Sequence, residues 1–545
     1  MQEALQEDNE ILRARKPVVM LAAVAIAVLG FCLSLHVTRN YIDCDYDSAG
    51  LIAAIDYTDK APFHAVRPLF TPTVLMVCRV ARGLGISPVF PAFFVLYALV
   101  HVATVLVIFV TGLTVSGRLW IAVVVALIYM VCGSQVYLLR LLEDNLLATL
   151  WLAGVVLALV VEAERPRRWA GVLAGVCLGI AVLFGRHCIA WLPVLLIPAA
   201  LPGRTWIQRL RFVGLAGGIS FGLAYLVTIV LAVVQGRPEF CTDPYTLYVT
   251  RFPEARMFDA AFPWWVRGKY LLLGVYYSMI TLPADMGQEW NMAYSQISQG
   301  ALPGVWVHAA VAVAIVMFGG VVLRSRDTGA RRVAAVGMFG LLLLTGLNLT
   351  AIDGSFPERF DYFPLLWTAV MAGALKVAGG SRRWLWNAIV LLVCAGPMAV
   401  NCYYVTQVGG QTRWQYADLS RVTRLRAADE PVVLRAAIGN ARQYDFMCKA
   451  VNLWLTTRDT WLLAYPSIKR EGSMIVMPEE LADTADARAV FYHERARLPE
   501  HGSYLLNQEA LDWLRDEIAG DGVQMQTLYA GHDVYYRAVR CSKQD

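Results

Sequence analysis

Pro17-Val-Val-Met-Leu-Ala-Ala-Val-Ala-Ile-Ala-Val-Leu-Gly-Phe-Cys-Leu-Ser-Leu-His36 contains no Asp, Glu, Lys or Arg, and Asp43-Cys-Asp-Tyr-Asp47 follows it. A bilayer core of about 30 Å takes about 20 apolar residues of helix, so the stretch reads as a membrane span with a carboxylate cluster at its mouth. The sixteen residues before it are charged and polar, so the run reads as a retained first helix and not a cleaved signal peptide. Further apolar stretches fall at roughly 91–113, 119–138, 145–162, 169–185, 188–202, 212–234, 304–323, 333–350, 363–379 and 384–405. The expected fold class is therefore mainly α, a polytopic membrane protein with about 11 transmembrane helices.

Composition agrees. Of 545 residues, 58% are hydrophobic and 16% are charged, against about 25% charged in a soluble domain. The net charge of +5 fits basic loops facing anionic lipid and is not a nucleic-acid signal. The eleven cysteines form no CxxC pair, which argues against a zinc ribbon or a thioredoxin-like site. Cys32, Cys78, Cys132, Cys177 and Cys394 lie in or near apolar spans and read as small core hydrophobes. Cys448 and Cys541 could form a disulfide, a pairing that sequence leaves open.

The loops sort by charge. Arg118, Arg165, Arg167, Arg168, Arg204, Arg209, Arg211, Arg324, Arg326, Arg331, Arg332, Arg382 and Arg383 all fall on one side of an alternating path. Basic loops mark the cytoplasm, so the expected location is the bacterial cytoplasmic (inner) membrane, with a cytoplasmic N-terminus. The segment 268–284 is nearly long enough to span, but one extra crossing would turn the basic 324–332 loop outward. It is expected to be interfacial or re-entrant, anchored by Trp264, Trp265 and Trp290.

The expected organisation is a transmembrane domain over 1–405, with large outward loops at 37–90 and 235–303, followed by a soluble extracytoplasmic α/β domain over 406–545. Strand-like runs at 431–435, 473–477 and 489–492 and a helical pattern at 511–518 support the α/β assignment.

The chemistry-bearing residues collect on the outward side. Asp43, Asp45 and Asp47 alternate, so an extended chain puts them on one side; Asp56 and Asp59 follow. Clustered carboxylates repel, which can raise one toward a general base's working range or build a site for a divalent cation. His64 and Arg67 follow; an arginine fork matches phosphate oxygens, and the plain alternative is an arginine snorkelling to headgroups. Glu143, Asp144 and Asn145 stand where the fourth span begins, suited to substrate or simply to a helix N-cap. Arg186 and His187 fill a short outward turn at membrane depth and need either an anionic ligand or an internal salt bridge. Glu358, Arg359 and Asp361 open the tenth span, as a self-paired triad or with Arg359 on a lipid phosphate. Arg267 and Lys269 lie among the aromatic residues of the second loop, which fits a sugar platform or an amphipathic helix on lipid.

The many spans, the long first outward loop with Asp43-Cys-Asp-Tyr-Asp47, the amphipathic segments at about 48–59 and 71–83, and Pro357-Glu-Arg-Phe-Asp-Tyr362 resemble the GT-C superfamily of membrane glycosyltransferases. Trp264-Trp265 is followed by Val266, so the Trp-Trp-Asp signature of oligosaccharyltransferases is not matched. The resemblance implies a glycosyltransferase whose donor is a polyprenyl-phosphate-linked sugar and whose acceptor is an extracytoplasmic glycan, lipid or protein. It implies a base among Asp43, Asp45 and Asp47. It also implies phosphate contacts from His64, Arg67, Arg186, His187 and Arg359, and substrate contacts from Glu143, Asp144, Asn145, Arg267, Lys269, Glu358 and Asp361. No cofactor is required by that chemistry, although a divalent cation can be accommodated. The competing expectations are a glycan polymerase, ligase or oligosaccharyltransferase using a lipid diphosphate, and a lipid or solute transporter. Transport would favour ionisable residues at mid-span within two matching halves, a pattern the sequence does not display.

Overall fold

The computed structural model describes residues 2–40, 52, 55, 59–61, 67–86, 90–141, 144–202, 204–237, 327–350, 362–377, 399 and 401–402, together with seven strands between 432 and 540. The chain divides into two units. One gathers Met1–Arg39, Pro62–Thr73 and Phe94–Val408; the other gathers Asn40–Ala61, Val74–Phe93 and Gly409–Asp545.

The described helices, in chain order, are α1 (Gln2–Asn40), α2 (Phe70–Gly83), α3 (Phe90–Ser116), α4 (Leu119–Met130), α5 (Gly133–Leu141), α6 (Asp144–Glu164), α7 (Arg168–Phe184), a 3-10 helix (Arg186–Leu195), α8 (Leu196–Ala200), α9 (Trp206–Val234), α10 (Thr328–Thr350) and α11 (Tyr362–Val377). Among the described residues five segments are long and apolar enough to cross a membrane: Lys16–Thr38, Pro91–Ser116, Asp144–Glu164, Trp206–Val234 and Thr328–Leu347. The protein is a mainly helical, multi-pass membrane protein. The expected spans 304–323 and, apart from three residues, 384–405 lie outside the described residues.

Two expected spans differ in kind. The single helix over 119–138 is two helices, because the chain leaves helical geometry at Val131–Cys132 and restarts at Gly133. The span at 188–202 is mostly 3-10 helix. A 3-10 helix rises about 2.0 Å per residue against 1.5 Å for an α-helix, so this short segment still reaches about 28 Å. One cysteine assignment also changes: Cys78, Cys132 and Cys177 are buried, but Cys32 is exposed on the outer side of α1.

Close packing in the first unit comes from small residues, as expected where lipid supplies no hydrophobic drive between helices. α7 and α9 run parallel along Gly171, Gly175 and Gly179. A β-carbon at Gly175 would stand 2.8 Å from both the Ala216 carbonyl and Ile219 Cβ, and one at Gly179 3.1 Å from Leu223 Cβ. At one end of these helices, Glu162 of α6 is buried with Arg204, which donates to both its carboxylate and its backbone carbonyl. The Arg167 amide donates to the other Glu162 oxygen at 3.0 Å. Lys376 lies 3.6 Å from Asp327, and Arg332 donates to the Pro202 carbonyl at 3.2 Å. These contacts tie the loops at that end to one another.

In the second unit, β1 (Val432–Ala436) lies between and parallel to β4 (Met474–Pro478) and β5 (Ser503–Asn507); β7 (Val534–Arg540) pairs antiparallel with β5 and with β6 (Val523–Ala530). The order is β4-β1-β5-β7-β6, and the short strands β2 (Leu462–Leu463) and β3 (Ile468–Lys469) pair separately. Parallel neighbours require crossover connections, the pattern of an α/β sheet. The expected strand at 489–492 and helix at 511–518 lie outside the described residues.

Candidate active site

α6 begins at Asp144, whose side chain is 2% exposed. A carboxylate in the first turn complements the positive end of the helix dipole. Arg67, in the turn that leads into α2, places its guanidinium 3.2 Å from Asp144 Oδ1. The Leu69 amide donates to the Leu183 carbonyl at 3.0 Å, which pins this turn to the last turn of α7. α7 ends at Gly185, and the 3-10 helix starts with Arg186 and His187. Four residues that sequence reading singled out separately (Arg67, Asp144, Arg186 and His187) therefore come to the same end of the helices, opposite the Glu162–Arg204 pair.

Arg186 is the largest fully buried side chain among the described residues. His187 is half-buried, with Nε2 3.6 Å from Cys188 Sγ. A β-carbon on Gly185 would stand 2.6 Å from His187 Cε1 and 3.6 Å from Asp144 Oδ2, so ring and carboxylate converge on one backbone position that only glycine leaves open. Asn145 is buried beside Asp144, and its carbonyl accepts from Thr149 Oγ1 at 2.8 Å. Two guanidiniums, an imidazole and one carboxylate in a water-poor mouth make a setting in which an anionic oxygen is held strongly.

Asp43, Asp45, Asp47, His64, Glu143, Arg267, Lys269, Glu358, Arg359 and Asp361 lie outside the described residues. Tyr362, which follows that last group, is buried with its hydroxyl 3.2 Å from Thr345 Oγ1, joining α11 to α10. Among the described residues no group of three or more His, Cys, Asp or Glu side chains could hold a metal.

Asp59, grouped by sequence with the acidic loop, belongs to the second unit and is engaged there. Arg79 and Arg82 donate to its carboxylate at 3.2 Å and 2.9 Å. The Arg79 hydrogen bond foremost holds the Asp59 carboxyl below its ordinary range, and Asp59 in turn raises Arg79. The site is open to water, so the pairing is weak. Two buried pairs had no sequence signal: Glu162–Arg204, separated by 42 residues, and Ser34–His101, separated by 67.

No family model matches the chain. Crystal structures of ArnT from Cupriavidus metallidurans superpose on it at a TM-score of 0.55 when bound to undecaprenyl phosphate and 0.52 in the apo state, with 10% and 11% identity; each comparison covers 96% of this chain and 98% of the other. The chain shares the fold of these ArnT structures. In sequence it is 29% identical over 289 residues to an undecaprenyl phosphate-alpha-4-amino-4-deoxy-L-arabinose arabinosyl transferase of Pseudomonas fluorescens, a match covering 46% of this chain and 52% of that protein. The chain thus spans about half the length of this curated relative. Within this fold Arg67, Asp144, Arg186 and His187 gather at the mouth formed by α6, α7 and the 3-10 helix.

Proposed function

We propose that the protein is a membrane glycosyltransferase that moves a sugar from a polyprenyl-phosphate donor to an extracytoplasmic acceptor. The observation that carries this reading is the convergence of Arg67, Asp144, Arg186 and His187 at one end of a GT-C fold. The ArnT structure of that fold is bound to undecaprenyl phosphate, and the curated relative is named for an undecaprenyl-phosphate-linked sugar.

The acceptor oxygen forms a bond to the anomeric carbon. The bond from that carbon to the phosphate oxygen breaks, and its electron pair leaves on the phosphate. The acceptor proton passes to a carboxylate among Asp43, Asp45 and Asp47, and attack from the opposite face inverts the anomeric centre. Arg67, kept in place by Asp144, and buried Arg186 stabilise charge developing on the phosphate; His187 lies beside them, and Arg359 is assigned to the same phosphate. Asn145, Glu143, Arg267, Lys269, Glu358 and Asp361 are assigned to the sugar and the acceptor. No cofactor is needed for this sequence, and a divalent cation would find ligands in the Asp43–Asp47 stretch.

The protein is assigned to the bacterial cytoplasmic membrane with its N-terminus in the cytoplasm and about 11 spans over 1–405. The sheet-bearing segment 406–545 is assigned as an extracytoplasmic α/β domain. Sidedness supports the donor class: a nucleotide sugar is confined to the cytoplasm, so an outward site draws its sugar from a lipid carrier.

The test is release of free undecaprenyl phosphate from synthetic undecaprenyl-phosphate pentoses and hexoses by the purified protein in liposomes with an envelope glycolipid extract. Transfer that is abolished by Asp43→Asn, Asp45→Asn or Asp47→Asn supports the reading. Folded protein that consumes no donor, or full-rate transfer by the triple variant, rejects it. Indifference to the aspartates together with loss on Arg186→Ala would favour a lipid-diphosphate ligase.

A further inference from the structure

α2 is apolar on two faces. Phe70, Val74, Cys78 and Ala81 are buried. Met76, Val80 and Leu84 are 60%, 57% and 71% exposed, and their four-residue spacing makes one stripe along the helix. Leu84 carries the stripe one residue past Gly83, because its amide still donates to the Val80 carbonyl at 3.0 Å. Arg79 stands three residues from Met76 and Arg82 three from Arg79, so a basic row borders the apolar one. Both arginines donate to the Asp59 carboxylate, at 3.2 Å and 2.9 Å.

A row of large apolar side chains is not a surface that water favours. The level at which α2 begins points to what covers it. The Leu69 amide, one residue before α2, donates to the Leu183 carbonyl in the last turn of α7. α7 has 17 residues and is about 25 Å long, most of the thickness of a bilayer core, so its last turn lies near the headgroups. At that level a leaflet offers acyl chains to an apolar row and phosphates to a basic one. Two guanidiniums against one carboxylate leave a surplus of one positive charge, which complements an anionic phosphate.

We propose that α2 docks on the leaflet at the Asp144 end of the protein, with Met76, Val80 and Leu84 at the boundary of headgroups and acyl chains and with Arg79 and Arg82 on the phosphates of anionic phospholipids. The partner is the bulk leaflet and not a carrier lipid, so the docking is independent of the transferase reading. Asp59 moderates the attraction by neutralising part of the basic row.

The experiment uses the full chain in liposomes with no sugar donor or acceptor present. Spin labels are placed singly at Met76→Cys, Val80→Cys and Leu84→Cys, with the native cysteines replaced. Their relaxation by oxygen, which concentrates in lipid, is compared with that by a neutral nickel chelate, which stays in water. A label at Val230→Cys, on the exposed side of α9, gives the lipid reference. Expected is greater access to oxygen than to the chelate at all three α2 sites, with the labels about 5–10 Å into the boundary of headgroups and acyl chains. Adding phosphatidylglycerol to phosphatidylcholine liposomes should raise the oxygen-to-chelate ratio at Val80→Cys by about twofold or more. Arg79→Gln with Arg82→Gln should abolish that rise, and Asp59→Asn should enlarge it. Labels reached better by the chelate lie in water and overturn the proposal. Labels closed to both reagents are covered by protein, from this chain or a second copy, and overturn it too. So does a ratio indifferent to phosphatidylglycerol, or a rise that survives loss of both arginines. The three label sites report separately, so a substitution that disturbs α2 at one of them leaves the other two to decide. Failure of the protein to transfer sugar bears on the transferase reading alone.

Discussion

Replacing Arg204 by alanine isolates what one buried ion pair contributes. Glu162 and Arg204 side chains are each 1% exposed, and Arg204 donates to both the Glu162 carboxylate and its carbonyl. Hydrogen bonds to charged groups contribute about 1.5–3 kcal/mol each, and stranding one member of a buried pair costs about 3–5 kcal/mol. Arg204→Ala should therefore lower the free energy of unfolding by about 3–5 kcal/mol, read by reversible denaturant unfolding in mixed micelles. Replacing both partners by methionine should recover most of that, because no lone charge remains. Recovery stays short of complete by about 1 kcal/mol, since the Arg167 amide loses the Glu162 oxygen it reaches at 3.0 Å. Glu162 and Asp144 are about 27 Å apart along α6, so the folded fraction of Arg204→Ala should keep the wild-type donor KM. A loss below 1 kcal/mol would refute the reasoning. So would a double variant as damaged as the single, which would mean that packing of the arginine stem, not charge, was at stake.

Three further outcomes are expected. Gly175→Ile should destabilise the protein by about 1–3 kcal/mol or more, measured by thermal unfolding in detergent, because its first side-chain atom already stands 2.8 Å from the facing backbone of α9. Arg186→Ala should lower kcat for phosphate departure by about 10²-fold or more in the liposome assay, the scale seen when one preorganised donor to developing charge is removed. Asp327 caps α10 through the Ala330 amide at 3.0 Å, and that bond foremost holds its carboxyl below the ordinary value of 3.8. A depressed folded-state value means the stabilisation is fully present above about pH 4 and is lost as pH falls through the lowered value. Asp327→Ala should thus cost about 1 kcal/mol at pH 7, and the gap from wild type should close on acidification.

The helices were legible where one apolar period ran between charged ends. The span expected at 145–162 is Asp144–Glu164, and that expected at 169–185 is Arg168–Phe184, because carboxylates and arginines bound both runs. The span at 188–202 was found but mistyped, since hydropathy reports burial and not the choice between 3-10 and α hydrogen bonding. The break at Val131–Cys132 carried no proline and no charge to announce it. Arg67, Asp144, Arg186 and His187 were each suspected alone, from charge at membrane depth. Their meeting depends on contacts such as Leu69 to Leu183, which join segments more than a hundred residues apart and leave no spacing in the sequence. His101 was missed for the opposite reason. A single imidazole in an apolar run looks like any satisfied core histidine until Ser34 is seen at 2.7 Å.

The two ends of these helices treat charge differently, and the difference bears on function. At the Glu162 end a buried carboxylate meets a buried guanidinium, and the backbone amide of Arg167 takes the remaining oxygen. Such closure suits a joint that only has to hold. At the Asp144 end Arg67 lies 3.2 Å from the Asp144 carboxylate, His187 and Asp144 flank Gly185, and the buried Arg186 follows Gly185 in the chain. In the proposed reaction an anionic headgroup would arrive at this mouth with the donor. The proposed function therefore assigns the phosphate leaving group to this end, where two arginines and a histidine gather, and leaves the Glu162–Arg204 end a structural joint.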